Sequence, residues 1–247
     1  MTISAVAPGI TRVETASTNC YLVEDGRDLT FVDAGLPGSW PEADRAVHEV
    51  GRTWDDVKAI VLTHGHFDHL GFAARAQHRH GVSVWVHEDD ARIARHPYRY
   101  RPGRPRLLYP LTHPRAVPHL LAMTLDGALH VPGVRSLTTF GGGERLDVPG
   151  RPLVVATPGH TDGHCALHLP EHDVLFSGDG LVTLDPYTGR RGPRIVARAG
   201  TKDARTAEAS LRIMAETGAT TVLTGHGEPW VEGVAAAAES ALASGAA

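Results

Sequence analysis

The stretch Thr63-His64-Gly65-His66-Phe67-Asp68-His69-Leu70-Gly71 sets three imidazoles and a carboxylate within six residues. It follows the apolar run KAIVLT at 58–63, which reads as a buried strand, and it opens a segment that reads as a helix from about Asp68 to His80. On extended backbone His64 and His66, two apart, point the same way, and Asp68 and His69 from a first helical turn can face them. Such a donor set suits a borderline divalent metal such as Zn²⁺. As an ordinary polar strand end, it would leave three clustered imidazoles poorly solvated or mutually repelling. Three later residues share the same setting, a loop just after an apolar run. His160 follows PLVVATPG, Asp179 follows DVLFSG, and His226 follows TTVLTG. Each has a glycine beside it (Gly159, Gly178, Gly225), which lets backbone approach a ligand closely. A single such histidine is more often a surface or capping residue. Four apolar runs that all end in ligand-type residues point to one site at a shared sheet edge.

The elements that must deliver these residues can be read from periodicity and turn residues. Strands are predicted over 3–6, 20–24, 28–33, 58–63, 82–87, 152–157, 164–169, 173–178 and 220–225. Helices are predicted over 41–50, 68–80, 88–95, 202–217 and 231–243. Strands followed by strand–loop–helix, and then the same order again, predict two related halves packed sheet to sheet with helices outside. That is an α/β layered sandwich. Between about 96 and 143 the texture changes: Pro97, Pro102, Pro105, Pro110, Pro114 and Pro118 interrupt every helical pattern, and Gly141-Gly142-Gly143 closes the segment. It is predicted to be a loop-rich inserted lid within one domain spanning 1–247. A second long loop is predicted over 180–200.

Composition bounds the rest. The chain has 247 residues, 42% of them hydrophobic and 21% charged, with a formal net charge of −4. These values exclude a disordered or fibrous chain and a globally basic nucleic-acid binder. No apolar stretch approaches the roughly 18 residues needed to span a bilayer, and the N-terminus lacks the pattern of a signal peptide. With only Cys20 and Cys165 there is no disulfide framework, so the expectation is a reduced cytoplasmic protein without a membrane partner.

All but two of the 24 basic residues are arginines, the exceptions being Lys58 and Lys202. Arg92, Arg95, Arg99, Arg101, Arg104, Arg106 and Arg115 fall in the window 91–120, which contains no acid. Folded over the site, one or more could clamp a substrate carboxylate or phosphate. Equally, they could solvate a loop or pair with acidic patches elsewhere or on a second subunit. Tyr98, Tyr100 and Tyr109 could line an apolar pocket or form a small core of the insertion, and the Arg/Tyr mixture is also compatible with nucleic acid. His48, His78, His80, His87, His96, His113, His119, His130, His168 and His172 show no shared ligand spacing and read as structural. His164 stands four residues after His160 and could donate to a ligand or substrate, although a structural role fits it better. Thr63, Thr157 and Thr224, each just before a ligand-type residue, could bond its backbone or imidazole.

The pattern His-x-His-x-Asp-His, followed by single His, Asp and His, resembles the metallo-β-lactamase superfamily of hydrolases, over about 17–35, 58–90 and 145–230. The resemblance implies a four-layer αβ/βα sandwich holding two divalent metal ions, Zn²⁺ by preference with Fe or Mn as alternatives. It implies His64, His66 and His160 at the first ion, Asp68, His69 and His226 at the second, and Asp179 bridging. Asp68 and Asp179 are its catalytic candidates, and Asp33, in FVDAG, would orient ligand imidazoles from behind. Hydrolysis would proceed through a bridging hydroxide. With its metals and hydroxide, such a site keeps a single net positive charge and favours anionic substrates.

The resemblance also narrows the branch. True metallo-β-lactamases typically carry Cys or Ser where Asp179 stands, and they are exported. Hydroxyacylglutathione hydrolases and quorum-signal lactonases use the full set of seven. The former usually append a helical glutathione-binding domain, whereas this chain ends one predicted helix beyond His226. The latter place a catalytic Tyr three residues after the bridging Asp, where this chain has Val182, with Tyr187 further along the same loop. Persulfide dioxygenases lack part of the second metal set, present here as Asp68, His69 and His226. The expected function is hydrolysis of a small anionic thioester, lactone or ester. The alternative is a phosphodiesterase or nuclease on nucleic acid, with the basic segment as its docking surface. A third class binds metal in a complex or as a sensor without turnover. A homodimer that covers the Pro-rich insertion is also compatible with the sequence.

Overall fold

Alternation along the strands decides the layering. In β3 (Thr18–Asp25) Cys20 and Leu22 enter one core and Tyr21 and Val23 another. In β5 (Val57–Val61) Ile60 joins the first and Ala59 and Val61 the second. Strand β10 (Val174–Gly178) sends Val174 and Phe176 to the second core and Leu175 to a third. Side chains of period two with both faces apolar describe strands covered on both sides. The computed structural model, which describes residues 1–105 and 109–247, shows the resulting arrangement.

A seven-stranded sheet runs in chain order: β1 (Thr2–Ala7), β2 (Ile10–Thr15), β3, β4 (Asp28–Val32), β5, β6 (Ser83–His87) and β7 (Thr138–Phe140). Its first four strands pair antiparallel, and β4 to β7 are parallel. The second sheet has the order β13 (Thr221–Thr224), β10, β9 (Cys165–Leu169), β8 (Leu153–Ala156). Helices α1 (Trp40–Glu49) and α2 (Ala73–His80) cover the first sheet, while α6 (Ala204–Ala215) and α7 (Val234–Ser244) cover the second. The core of Tyr21, Val61, Leu167 and Phe176 lies between the sheets. This is the expected αβ/βα sandwich.

Four local expectations are corrected. The predicted helix from Asp68 to His80 is a single 3₁₀ turn, Phe67–His69, followed by α2 from Ala73. The break falls where Gly71 crosses Leu36: its N–H donates to the Gly35 carbonyl at 2.7 Å, and a β-carbon there would lie 2.2 Å from Leu36 backbone. Strand β2 went unpredicted because Arg12 and Glu14 interrupt its apolar residues. Arg12 is nonetheless buried, held by Asn19 and Glu228. The predicted loop at 180–200 contains the hairpin of β11 (Val182–Leu184) and β12 (Arg191–Arg194), whose RGPR sequence carries no strand signal. The segment 96–143 is less loop-like than predicted. After α3 (Ala91–Arg95) it forms α4 (Tyr109–Thr112) and α5 (Val117–Leu125), then adds β7 to the sheet. Pro118 sits in the first turn of α5, where a missing N–H costs no hydrogen bond. Arg106 lies outside the described residues. No described helix is long and apolar enough to cross a membrane.

Cross-links between the two sheets pin one edge. The Cys165 N–H donates to the Thr63 carbonyl (2.9 Å) and the Asn19 N–H to the Gly225 carbonyl (2.8 Å). The turns after β4, β5, β8, β10 and β13 therefore open into the same cleft.

Candidate metal centre

All seven residues singled out by the sequence meet in that cleft, and all are buried. Their donor atoms form three groups, each within 4.8 Å: His64 with His66 and His160; His64 with His69 and Asp179; Asp68 with His69 and His226. Asp179 lies between the outer groups. Its Oδ2 is 3.3 Å from His226 Nε2, 3.5 Å from His160 Nε2 and 4.0 Å from His64 Nε2, and its Oδ1 is 3.3 Å from His69 Nε2. Asp68 Oδ2 is 3.4 Å from His226 Nε2, and His66 Nδ1 is 2.9 Å from His160 Nε2.

The tautomers follow from what the outward-facing nitrogens touch. His226 Nδ1 donates to the Ser17 carbonyl (2.7 Å), since a carbonyl can only accept. His69 Nδ1 meets Asp33 Oδ2 at 2.9 Å. The Thr63 hydroxyl gives its proton to Asp33 Oδ2 (2.8 Å) and so accepts from His64 Nδ1 at 3.0 Å. The Thr201 hydroxyl donates to the Val196 carbonyl (2.7 Å) and accepts from His160 Nδ1 at 3.2 Å. Four imidazoles are thereby held with Nδ1 outward and Nε2 turned inward, the arrangement in which partners behind a histidine fix its ring for a metal.

These inward atoms test the fit. Nε2 of His64, His69 and His226 and Oδ1 of Asp179 are buried with no hydrogen-bond partner among the described residues. Each such atom would cost on the order of 1–3 kcal/mol of lost solvation. Converged nitrogen and carboxylate donors answer that cost by ligating cations, so the residues fit a pair of divalent ions.

The electrostatics agree. Burial, reinforced by His69, His160 and His66, holds the His64 ring well below the usual histidine range, and burial pushes His160 down to about 3. Burial opposes charge at His69 and His226 too, but carboxylates outweigh it. Asp179 and Asp33 raise His69 well above its ordinary value, and Asp179 with Asp68 pushes His226 up to about 10. Likewise Asp179 stays ionised despite burial, because His226 and His69 face it. Carboxylates that hold protons on two buried rings are carboxylates that attract cations.

The surrounding residues divide into those foreseen and those missed. Asp33, foreseen, also accepts from the Thr63 N–H (2.8 Å) and adopts a left-handed φ of 61°. Thr224 bonds the His226 carbonyl (2.9 Å). Thr157 does not serve His160 as expected; its hydroxyl and carbonyl lie 2.9 and 3.0 Å from His164 Nδ1. His164 Nε2 accepts the Gly180 N–H (3.0 Å), so His164 anchors the turn beside Asp179. Ser17 and Thr201 were missed, as was Asp90, which accepts from the Gly65 N–H, the Thr161 hydroxyl and the Gly163 N–H. None carries a local motif; only their distant partners mark them.

Beside the His66–His160 face opens a cavity of about 560 Å³, with Arg92, Arg99, Arg101 and Lys202 on its walls. Segment 99–104 forms one side: Tyr100 packs on His66 with ring centroids 4.0 Å apart, and the Gly103 and Arg104 N–H groups donate to the Thr201 and Arg198 carbonyls. Tyr98 stacks on Phe67 at 5.9 Å, while Tyr109 packs with Tyr187 against Ala197 and Ala199. Asp89 and Asp162 also line the cavity, and Asp162 is paired with Lys202.

Comparison with known proteins adds the relationship. A family model described as the metallo-beta-lactamase superfamily matches residues 14–226. A probable metallo-hydrolase of Bacillus subtilis, YflN, is 29% identical over 238 residues, covering 90% of this chain and 85% of that one. A hydroxyacylglutathione hydrolase of Haemophilus influenzae, GloC, is 26% identical over 165 residues, 66% of each chain. The crystal structure of a metallo-beta-lactamase family protein from Thermus thermophilus superposes with a TM-score of 0.71 at 26% identity, covering 97% of this chain and 80% of that one.

Proposed function

Because this chain belongs to the metallo-beta-lactamase superfamily and is a hydrolase, we propose that it cleaves a small anionic thioester, lactone or ester at a two-ion centre held by His64, His66, Asp68, His69, His160, Asp179 and His226. Zn²⁺ suits five imidazoles and two carboxylates best, with Fe and Mn as alternatives. When bound, paired divalent ions supply an activated water near neutral pH and polarise the scissile oxygen.

The observation that carries the reading is the cavity beside His66 and His160. Its volume fits a small molecule and its walls carry Arg92, Arg99 and Arg101. Guanidinium groups there would hold a carboxylate remote from the reacting bond, so that binding energy fixes the acyl group against the centre. Asp179, between the donor groups, would divide its two oxygens between them. Asp68 would accept a hydrogen bond from the attacking water and keep it aimed. Tyr100, over His66, would exclude bulk solvent, giving segment 96–143 the work of a lid. The similarity to a hydroxyacylglutathione hydrolase supports a thioester substrate in particular.

Initial rates of zinc-loaded protein on an acyl thioester, a medium-chain lactone, an aryl phosphodiester and a chromogenic β-lactam test this. Chelator-sensitive turnover of the thioester or lactone is expected. Preference for the phosphodiester or the β-lactam would refute the substrate class, and rates indifferent to chelation would refute the centre.

A further inference from the structure

The segment 96–143 reaches the centre by a second route, through the turn between β2 and β3. Thr15 pairs with Thr18, which leaves Ala16 and Ser17 as a two-residue hairpin turn with φ of 48° and 65°. Both central residues are left-handed, a geometry that hairpins usually assign to Asn-Gly. Neither alanine nor serine favours it, and such strain persists only where surrounding contacts impose it. Here the contacts are specific. The Ser17 N–H donates to Glu14 Oε1 (3.1 Å), and the Ser17 hydroxyl lies 2.8 Å from Nδ1 of His119 on α5. The Ser17 carbonyl, aimed by that backbone conformation, accepts from His226 Nδ1 at 2.7 Å. Helix α5 is itself tied down beyond its C-terminal end, where the Asp126 carbonyl accepts the Gly38 N–H at 2.9 Å. On the other side of the turn the Asn19 amide donates to the carbonyls of Thr224 and Gly227, which flank His226.

We infer that Ser17 and His119 are positioning residues for His226: the strained turn aims the Ser17 carbonyl at the ring, and His119 on α5 clamps the turn in that conformation. The segment that walls the cavity through Arg99, Tyr100 and Arg101 thus also sets one imidazole of the centre. His119, which its spacing marks as structural, acts through Ser17. The inference rests on the metal-centre reading above.

The test uses the full chain and the variants His119→Leu, His119→Asn, Ser17→Ala and Ser17→Gly. Two readouts apply: affinities for two Co²⁺ ions, by competition with a chromogenic chelator, and the ¹⁵N resonances of the His226 ring in metal-free protein. His119→Leu and Ser17→Ala should weaken one ion by about tenfold, leave the other within about twofold, and shift the His226 Nδ1 resonance. His119→Asn, whose amide can occupy the place of Nδ1, should restore both readouts. Ser17→Gly, which tolerates the turn but loses the hydroxyl clamp, should behave as Ser17→Ala. Equal weakening of both ions, or no change in either readout, would overturn the inference. If His119→Leu does not fold, the serine variants decide in the same terms. If the wild type takes up fewer than two ions, the metal-centre reading fails, while the ring resonances still decide the role of Ser17 and His119.

Discussion

Oδ2 of Asp33 lies 2.9 Å from Nδ1 of His69, and the same carboxylate accepts from the hydroxyl and N–H of Thr63. One side chain at the end of β4 therefore orients His69 directly and His64 through Thr63. It does so from a left-handed backbone position that few non-glycine residues adopt.

Replacing Asp33 should show that dependence. Asp33→Ala removes the acceptor of His69 Nδ1 and leaves the buried Thr63 N–H without a partner, so both rings lose their fixed orientation. Metal affinity should fall roughly 10–100-fold, measured by chelator competition. Affinity within twofold of wild type would show that the rings are set by packing alone.

Close approach of backbone makes a second prediction. A β-carbon on Gly225 would lie 2.2 Å from Asp179 Oδ1 and 2.8 Å from His69 Cε1. Neither neighbour can retreat, since each is buried against other donors. Gly225→Ala should keep the far-ultraviolet circular dichroism of the wild type yet lose bound metal and turnover together. A variant with full metal content and activity would mean that Asp179 sits elsewhere.

The arginines of the cavity are tested by kinetics. Arg99→Gln and Arg101→Gln should each raise KM for an anionic thioester several-fold, with kcat within about twofold, because a remote clamp contributes to ground state and transition state alike. A neutral substrate of the same size should show no change. A fall in kcat with unchanged KM would place these groups at the reacting bond instead.

Helix α6 supplies a pH prediction. Its N-cap, Asp203, accepts from the Arg205 and Thr206 N–H groups and the Thr206 hydroxyl, and these bonds hold its carboxyl below the usual range. A carboxyl depressed in the folded state stabilises above its ordinary value of about 3.9, and this contribution is lost as the pH falls through its lowered one. The neighbouring backbone anchors the His160 loop, with the Lys202 and Asp203 N–H groups donating to the His160 and Gly159 carbonyls. Asp203→Ala should therefore lower the urea midpoint at pH 7, and the difference should narrow at about pH 3.5. A pH-independent difference would assign the loss to helix propensity.

Parts of this were legible in the chain. The cluster from His64 to His69 is local, so spacing alone implied a common target. The apolar runs before His160, Asp179 and His226 showed that these residues sit at strand ends. Alternation and segment order were enough to suggest two sheets between helices. The reading failed where structure depends on distant partners. Strand β2 hides a buried Arg12 whose partner, Glu228, is far along the chain. The RGPR strand is strand only because β11 pairs with it.

The sequence by itself determined which donors this protein brings to bear, because chemical type and local periodicity are properties of neighbouring residues. Only the tertiary structure decided how those donors are held. Ser17, Asp90, Thr201 and His119 act on residues far away in the chain, through hydrogen bonds whose direction depends on how two sheets and one helix pack. A hydrogen bond of this kind needs an atom placed to within a few tenths of an ångström, and local sequence carries no record of that distance.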